Sequence, residues 1–190
     1  MYGQARPEER ADLWQGRSAG EARLKALEIP PRVLHLATHG FYRPSSRPGD
    51  RAMLLSGVAL AGANRALVGD GEDGILYAIE AQGLNLDGTQ LVVLSACETA
   101  QGEIDYGEGI SGLVRALRTA GAGHVLVSLT PVSDLGAAQF MRRFYAYLLA
   151  PHYARDVAGA FHAARRETIA AAAKQDWADA TWSQFVLVGP

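Results

Sequence analysis

Cysteine is nearly absent from this chain, since Cys97 is the only one among its 190 residues. A single thiol cannot form an internal disulfide, so we expect a reducing, cytoplasmic setting in which Cys97 is a free thiol or thiolate. A surplus of positive charge is lacking as well, because the formal net charge is -2 at pH 7. A chain with this small negative net charge has no general electrostatic attraction for nucleic acid or an anionic membrane surface, so we expect neither as a partner.

Long apolar runs and internal repeats are also missing. No stretch approaches the ~20 apolar residues that span a membrane, and residues 1–20 lack the apolar segment of a secretory signal. No repeat with a period of ~20–50 residues is visible, which argues against a solenoid or a propeller. What is present, 48% apolar and 20% charged residues, is typical of one compact globular domain with one core.

Short apolar runs alternate with amphipathic segments along the chain. The predicted strands cover residues 33–37, 53–60, 91–96, 125–129 and 185–188. The predicted helices cover residues 18–29, 73–82, 110–120, 133–149 and 156–173, and residues 97–109 are predicted to be a loop. This alternation predicts an α/β fold with a mostly parallel sheet and helices on both faces. We expect residues 1–17 to be an arm or connector and residues 18–190 to be the domain.

Two of the predicted strands end next to chemically reactive side chains. His39 lies two residues beyond the first strand, and Cys97 directly follows the strand at residues 91–96. In parallel sheets, sites form beyond the carboxyl ends of the strands. The separation of 97 − 39 = 58 residues resembles the ~50 residues between histidine and cysteine in caspases. If the two strands are neighbours, the pattern predicts Cys97 as a nucleophile and His39 as its acid–base partner.

Each residue has a plainer interpretation when it is taken alone. An isolated cysteine at a strand end is more often a small buried hydrophobe, and a histidine in a loop is usually a surface residue. The pairing at two strand ends favours the catalytic interpretation. The backbone N–H groups of Gly40 and Cys97 then become candidates for an oxyanion hole.

Three polar residues near the predicted strand ends are candidates for substrate binding. They are Ser95, Glu98 and Asp134. An acidic residue in the pocket would favour a basic substrate residue before the scissile bond. A solvated or helix-capping role is equally compatible with these acids, since Asp134 stands at a predicted helix start.

Two longer motifs resemble those of a known family. Val33–Tyr42 is similar to the histidine motif of CHAT-domain peptidases, the caspase-related family often joined to tetratricopeptide repeats, and Leu91–Thr99 is similar to their cysteine motif. Further similar segments are residues 73–76, 107–113, 128–129 with 131–134, and 182–187, so that the resemblance covers roughly residues 16–189.

The resemblance implies a caspase-like α/β/α sandwich and a cysteine endopeptidase. Cys97 would attack a peptide bond of a protein substrate, and His39 would assist through a thioester intermediate. No cofactor and no metal are implied. A regulatory partner, such as a tetratricopeptide-repeat or sensor domain, is implied as well.

The sequence also departs from the family pattern. Ala100 stands where the family usually has glycine, and Thr130 where it often has tryptophan. The N-terminal strands usual for the family have no room before Ser18, so we expect them to be missing or supplied by a partner. These departures keep a second hypothesis open, a non-catalytic CHAT-like interaction module.

Two other signals are weaker than they look. Residues 107–112 match the glycine spacing of a dinucleotide-binding loop, but ten residues separate them from the preceding strand, where the mechanism needs a direct turn. His35 and His39 are four residues apart, a spacing that suits zinc on a helix but not on an extended strand. We expect His35 to be an inward-facing, hydrogen-bonded residue.

Overall fold

The computed structural model describes residues 11–42, 52–65, 72–95, 106–128, 132–174 and 181–190. The strands in these ranges are β1 (Val33–Leu36), β2 (Gly40–Tyr42), β3 (Ser56–Ala59), β4 (Ile75–Tyr77), β5 (Leu91–Leu94), β6 (His124–Ser128) and β7 (Phe185–Val188). The helices are α1 (Glu21–Lys25), α2 (Ala52–Leu55), α3 (Ala78–Ala81), α4 (Tyr106–Thr119), α5 (Asp134–Leu148), α6 (Val157–Lys174) and α7 (Thr181–Gln184). None of these helices is both long and apolar enough to cross a membrane.

The larger sheet has four strands in the order β1-β5-β6-β7. β1 and β5 are parallel, with Val33 opposite Leu91 and Leu36 opposite Leu94. β5 and β6 are also parallel, with Leu91 opposite His124. The predicted α/β class with a mostly parallel sheet is therefore confirmed.

Burial of β5 on both faces explains its unbroken apolar sequence. All four of its residues are buried, and parallel strands with this pattern lie inside a sheet. One face joins a core with side chains of α3, α4 and β6; these include Ala78, Leu113, Leu117 and Val125. The chain passes from β5 through α4 to β6, so a helix connects these two parallel strands.

The smaller sheet is antiparallel, in the order β2-β3-β4. Its strands pack closely at Gly57, where an added Cβ would come within 2.5 Å of the Leu76 carbonyl oxygen. Phe41 and Tyr77 flank this glycine on the two outer strands, and their rings meet edge to face with centroids 5.8 Å apart. The missing side chain at Gly57 thus leaves room for an aromatic pair across the middle strand.

Three predictions for the shorter elements are wrong. Residues 73–82 were expected to be one helix, but Asp73 Oδ1 accepts the N–H of Ile75 (2.8 Å) and Gly74 has a φ of +77°, a turn that leads into β4. Residues 53–60 begin as the helix α2 and become β3 only at Ser56. The predicted loop at residues 97–109 ends earlier, since α4 begins at Tyr106 and tolerates the glycines of its first turn.

The chain divides into two compact units. One comprises residues 14–131 and 188–190, and the other Met1–Leu13 and Val132–Leu187. The second unit has an aromatic core in which Phe140 stacks on Phe185 with ring centroids 4.7 Å apart. The predicted boundary between residues 17 and 18 stays a prediction.

Candidate active site

The carboxyl ends of β1 and β5 lie at the same edge of the larger sheet, because the two strands are parallel neighbours. The Ser95 N–H donates to the Leu36 carbonyl oxygen (3.1 Å), which extends the ladder one step beyond the strands. Partners in this ladder differ by 91 − 33 = 58 residues. His39 and Cys97 differ by the same number in the sequence. The condition attached to the predicted pair, that its two strands are neighbours, is therefore met.

His39 lies where the chain leaves the larger sheet for the smaller one. β1 ends at Leu36 and β2 begins at Gly40, so residues 37–39 form the connection. The His39 carbonyl oxygen accepts the N–H of Ala59 in β3 (2.8 Å), and the Thr38 hydroxyl donates to the Ala59 carbonyl oxygen. The smaller sheet thus holds the backbone at His39, while the residue itself is exposed.

The Gly40 N–H points away from β3, as the pairing pattern shows. Gly40 lies opposite Val58, and the adjacent Ala59 N–H bonds to His39. In an antiparallel ladder, this arrangement makes Gly40 and Val58 a non-hydrogen-bonded pair. The ladder with β3 therefore does not use the Gly40 N–H, which is what an oxyanion donor requires.

Ser95 is paired with a histidine on the neighbouring strand. His35 Nε2 lies 2.8 Å from Ser95 Oγ. The hydrogen-bonding expected of His35 is confirmed, but its inward orientation is wrong, because His35 is the exposed residue of β1. The packing around its ring still desolvates the imidazole and lowers the pKa of His35 below its ordinary value. A neutral ring can accept the Ser95 hydroxyl proton at Nε2.

The remaining predicted site residues are Cys97, Glu98 and Asp134. Cys97 and Glu98 lie outside the described residues. Asp134 is the first residue of α5, belongs to the other compact unit and is exposed. Ser133 caps that helix by accepting the N–H of Gly136 (3.1 Å), so an acid at Asp134 also fits the favourable field of a helix start. The roles in catalysis and substrate binding stay predictions.

A charge cluster around Lys25, beside the smaller sheet, is not among the features that the sequence predicts. The Lys25 ammonium lies 2.6 Å from Glu21, 2.6 Å from Glu72 and 2.7 Å from Glu80. Burial opposes the charge on Lys25, but hydrogen bonds to the three carboxylates raise the pKa of Lys25 well above its ordinary value. Only the spacing of Glu21 and Lys25, four residues apart on one helix, was visible in the sequence.

Glu21 is the buried member of this cluster. It is only 2% exposed, and its second oxygen accepts the N–H of Gly74 (2.9 Å). Burial raises the pKa of Glu21, against the lowering effect of Lys25. The three carboxylates have oxygen atoms within 4.8 Å of one another, and the Lys25 ammonium is the cation among them. The cluster is therefore a structural link between α1 and the start of β4.

Comparison with models of protein families identifies a family for this chain. The family model described as CHAT domain matches residues 7–190 of the chain. No curated protein matches it. The family match includes both strand ends and the segments on either side of them.

Proposed function

This chain belongs to the CHAT domain family, which is caspase-like and often peptidase-related, and from that membership we propose that it is a cysteine endopeptidase acting on protein substrates. Cys97 is the proposed nucleophile and His39 its acid–base partner. The observation that supports the pair most directly is the β1–β5 register, whose offset of 58 residues equals the spacing of the two side chains in the sequence.

The proposed reaction has two stages. His39 takes the proton of the Cys97 thiol, and the resulting thiolate attacks the carbonyl carbon of the scissile peptide bond. The carbonyl oxygen becomes an oxyanion held by the N–H groups of Gly40 and Cys97. Collapse of this intermediate breaks the C–N bond, and His39 gives a proton to the leaving amine. Water then attacks the thioester with His39 as base, which releases the acid product and restores the thiol.

The geometry around His39 is compatible with these steps. His39 is exposed, which a residue that acts on a substrate requires. The Gly40 N–H is not used by the ladder to β3. Cys97 stands two positions after Ser95 in the sequence, and the Ser95 N–H bonds to the Leu36 carbonyl oxygen at the end of β1.

The regulatory partner is also part of this proposal. A tetratricopeptide-repeat or sensor domain would control access to the site. Ser95, Glu98 and Asp134 are the residues proposed to contact substrate, and the first of them already bonds to His35.

Labelling with a peptidyl acyloxymethyl ketone tests the nucleophile. Because Cys97 is the only cysteine, a mass increase by one probe reports on that thiol alone. We expect labelling of the wild-type chain, none in Cys97→Ala, and at least a hundredfold slower labelling in His39→Ala. His152→Ala, at an exposed histidine of the turn Pro151–Tyr153, is the matched control and should label like wild type.

A peptide library read by mass spectrometry tests the reaction. The wild-type chain should produce cleavage products that are absent with Cys97→Ala. Equal labelling rates in His39→Ala and wild type would contradict the dyad. Intact peptides with both chains, together with unlabelled Cys97, would favour the alternative of a non-catalytic interaction module.

A further inference from the structure

We infer that Thr38 is a positioning residue for His39, acting through its hydrogen bond to Ala59. This inference rests on the proposed catalytic role of His39. Thr38 does not touch the reacting atoms in this mechanism. Its hydroxyl sets the path of the backbone from which the catalytic imidazole projects.

The connection at residues 37–39 needs such an anchor because it runs between two sheets. The β1–β5 ladder holds the chain as far as Leu36, and the β2–β3 ladder begins at Gly40. His39 therefore follows the end of one ladder and precedes the start of the other. The direction of its Cα–Cβ bond depends on how the backbone is held at residues 38 and 39.

The backbone at residues 38 and 39 is held by two hydrogen bonds to a single residue of β3, Ala59. The Ala59 N–H donates to the His39 carbonyl oxygen (2.8 Å), and the Ala59 carbonyl oxygen accepts the Thr38 hydroxyl. Together the two bonds fix the backbone on each side of the 38–39 peptide. A side chain that contributes only a methyl group in place of the hydroxyl would keep the first bond and lose the second.

Ala59 itself is well placed to serve as an anchor. It lies in the middle strand of the smaller sheet and pairs with Ile75 on the side away from His39. The next residue continues this pairing, since the Leu60 N–H donates to the Gly74 carbonyl oxygen (2.7 Å). Movement of Ala59 would disturb both neighbours, so the Thr38 bond attaches His39 to a fixed part of the structure.

The substitution Thr38→Val removes the hydroxyl and keeps the β-branched shape. We expect kcat to fall about tenfold with KM unchanged, because misplacement of the acid–base group affects the chemical step and not the binding of substrate. Thr38→Ser keeps the donor and should recover most of the lost rate. Thermal unfolding of all three chains shows whether they are equally folded.

Thr168→Val is the matched control. The Thr168 hydroxyl on α6 also donates to an alanine carbonyl oxygen, that of Ala164 (2.8 Å). The control therefore loses the same kind of bond at a position that the mechanism does not use. We expect its kcat and KM to equal those of wild type.

The His39 ring resonances give a second readout that does not depend on catalysis. Thr38→Val should shift or broaden them in two-dimensional NMR spectra, whereas Thr38→Ser and Thr168→Val should not. Unchanged resonances and unchanged kcat in Thr38→Val would overturn the inference and leave the peptidase proposal standing. Shifted resonances in a chain whose wild type cleaves nothing would support the positioning role and contradict the peptidase proposal.

Discussion

At the scale of single residues, the pair of His35 and Ser95 brings a titratable ring to the edge of the larger sheet. The two side chains meet at 2.8 Å although they are 60 residues apart in the sequence. Ser95 stands two positions before the proposed nucleophile in the sequence. A neutral His35 is the form that can accept the hydroxyl proton.

The lowered pKa of His35 predicts a pH dependence of stability. The unfolded chain takes up a proton near the ordinary value of 6.5, whereas the folded protein does so only at lower pH. Between the pKa of His35 in the folded protein and about 6.5, the unfolded state binds more protons than the folded state. The free energy of unfolding therefore decreases as the pH falls through about 6.5. The decrease should be a fraction of the 1.4 kcal/mol per pH unit of a full proton, because His35 is exposed.

Urea unfolding of wild type and His35→Gln between pH 8 and pH 5 measures this contribution. The glutamine keeps a hydrogen-bonding group for Ser95 and cannot titrate. The difference in the free energy of unfolding between the two chains should be constant above pH 7.5. Below pH 6.5, wild type should lose stability relative to His35→Gln. Parallel curves over the whole range would contradict the prediction.

At the scale of elements, the cluster around Lys25 links the helix α1 to the strand β4. Glu21 on α1 accepts the N–H of Gly74, which immediately precedes β4, and Gly74 leaves no room for a side chain because an added Cβ would lie 2.3 Å from the Ala63 nitrogen. β4 pairs with β3, which in turn holds the backbone at His39. The charge cluster is thus part of the support behind the proposed active site.

Substitutions at Glu21 should separate its hydrogen bond from its charge. Glu21→Ala leaves the buried N–H of Gly74 without its acceptor and should cost about 2 kcal/mol. Glu21→Gln keeps an acceptor and should cost less than about 1 kcal/mol, since burial already disfavours the charged form of this side chain. Urea unfolding at pH 7 measures both values.

Glu72→Gln is the control for this pair. Glu72 contacts the same ammonium, but its side chain is 41% exposed, so its loss should change the free energy of unfolding by less than about 0.5 kcal/mol. If Glu21→Ala and Glu72→Gln lowered the free energy of unfolding by the same amount, the buried hydrogen bond of Glu21 would contribute no more than an exposed charge does.

At the scale of the whole molecule, each of the two compact units has an apolar core of its own. The unit of residues 14–131 packs α4 against β5 and β6. The unit of residues 132–187 packs the rings of Phe140, Phe144, Phe161 and Phe185 together. Phe140 contacts the other three rings and is fully buried.

Loss of the Phe140 ring should therefore destabilise that unit strongly. Phe140→Ala should cost about 3–5 kcal/mol, through lost burial and the cavity left behind. Leu135→Ala on the same helix is the control, because Leu135 is 62% exposed and its truncation should cost less than about 0.5 kcal/mol. Urea unfolding followed by circular dichroism compares the two, and similar midpoints would contradict the assigned core.

The sequence by itself determined the elements whose own pattern is strong and the family to which the chain belongs. β5 could be predicted because four consecutive apolar residues suit a strand that is buried on both faces. α5 and α6 could be predicted because their apolar residues recur at helical spacing. Two strand-end motifs, at His39 and Cys97, were sufficient to indicate CHAT, and the family match over residues 7–190 confirms it. The catalytic roles themselves are still a proposal.

Only the tertiary structure decided what each element has as its neighbour. In the structure, β1 and β5 are parallel partners with an offset of 58 residues, and His35 on β1 is exposed. Residues 73–82, predicted as a helix, contain a turn and the strand β4. The fold also brings Glu72 and Glu80 to Lys25, and Ala59 to Thr38. The physical reason is that periodicity reports the buried face of one segment, whereas register, edges and charge clusters depend on groups tens of residues apart. For the same reason, the sequence could pair His39 with Cys97 only on the condition that their strands are neighbours, and the fold supplied that condition.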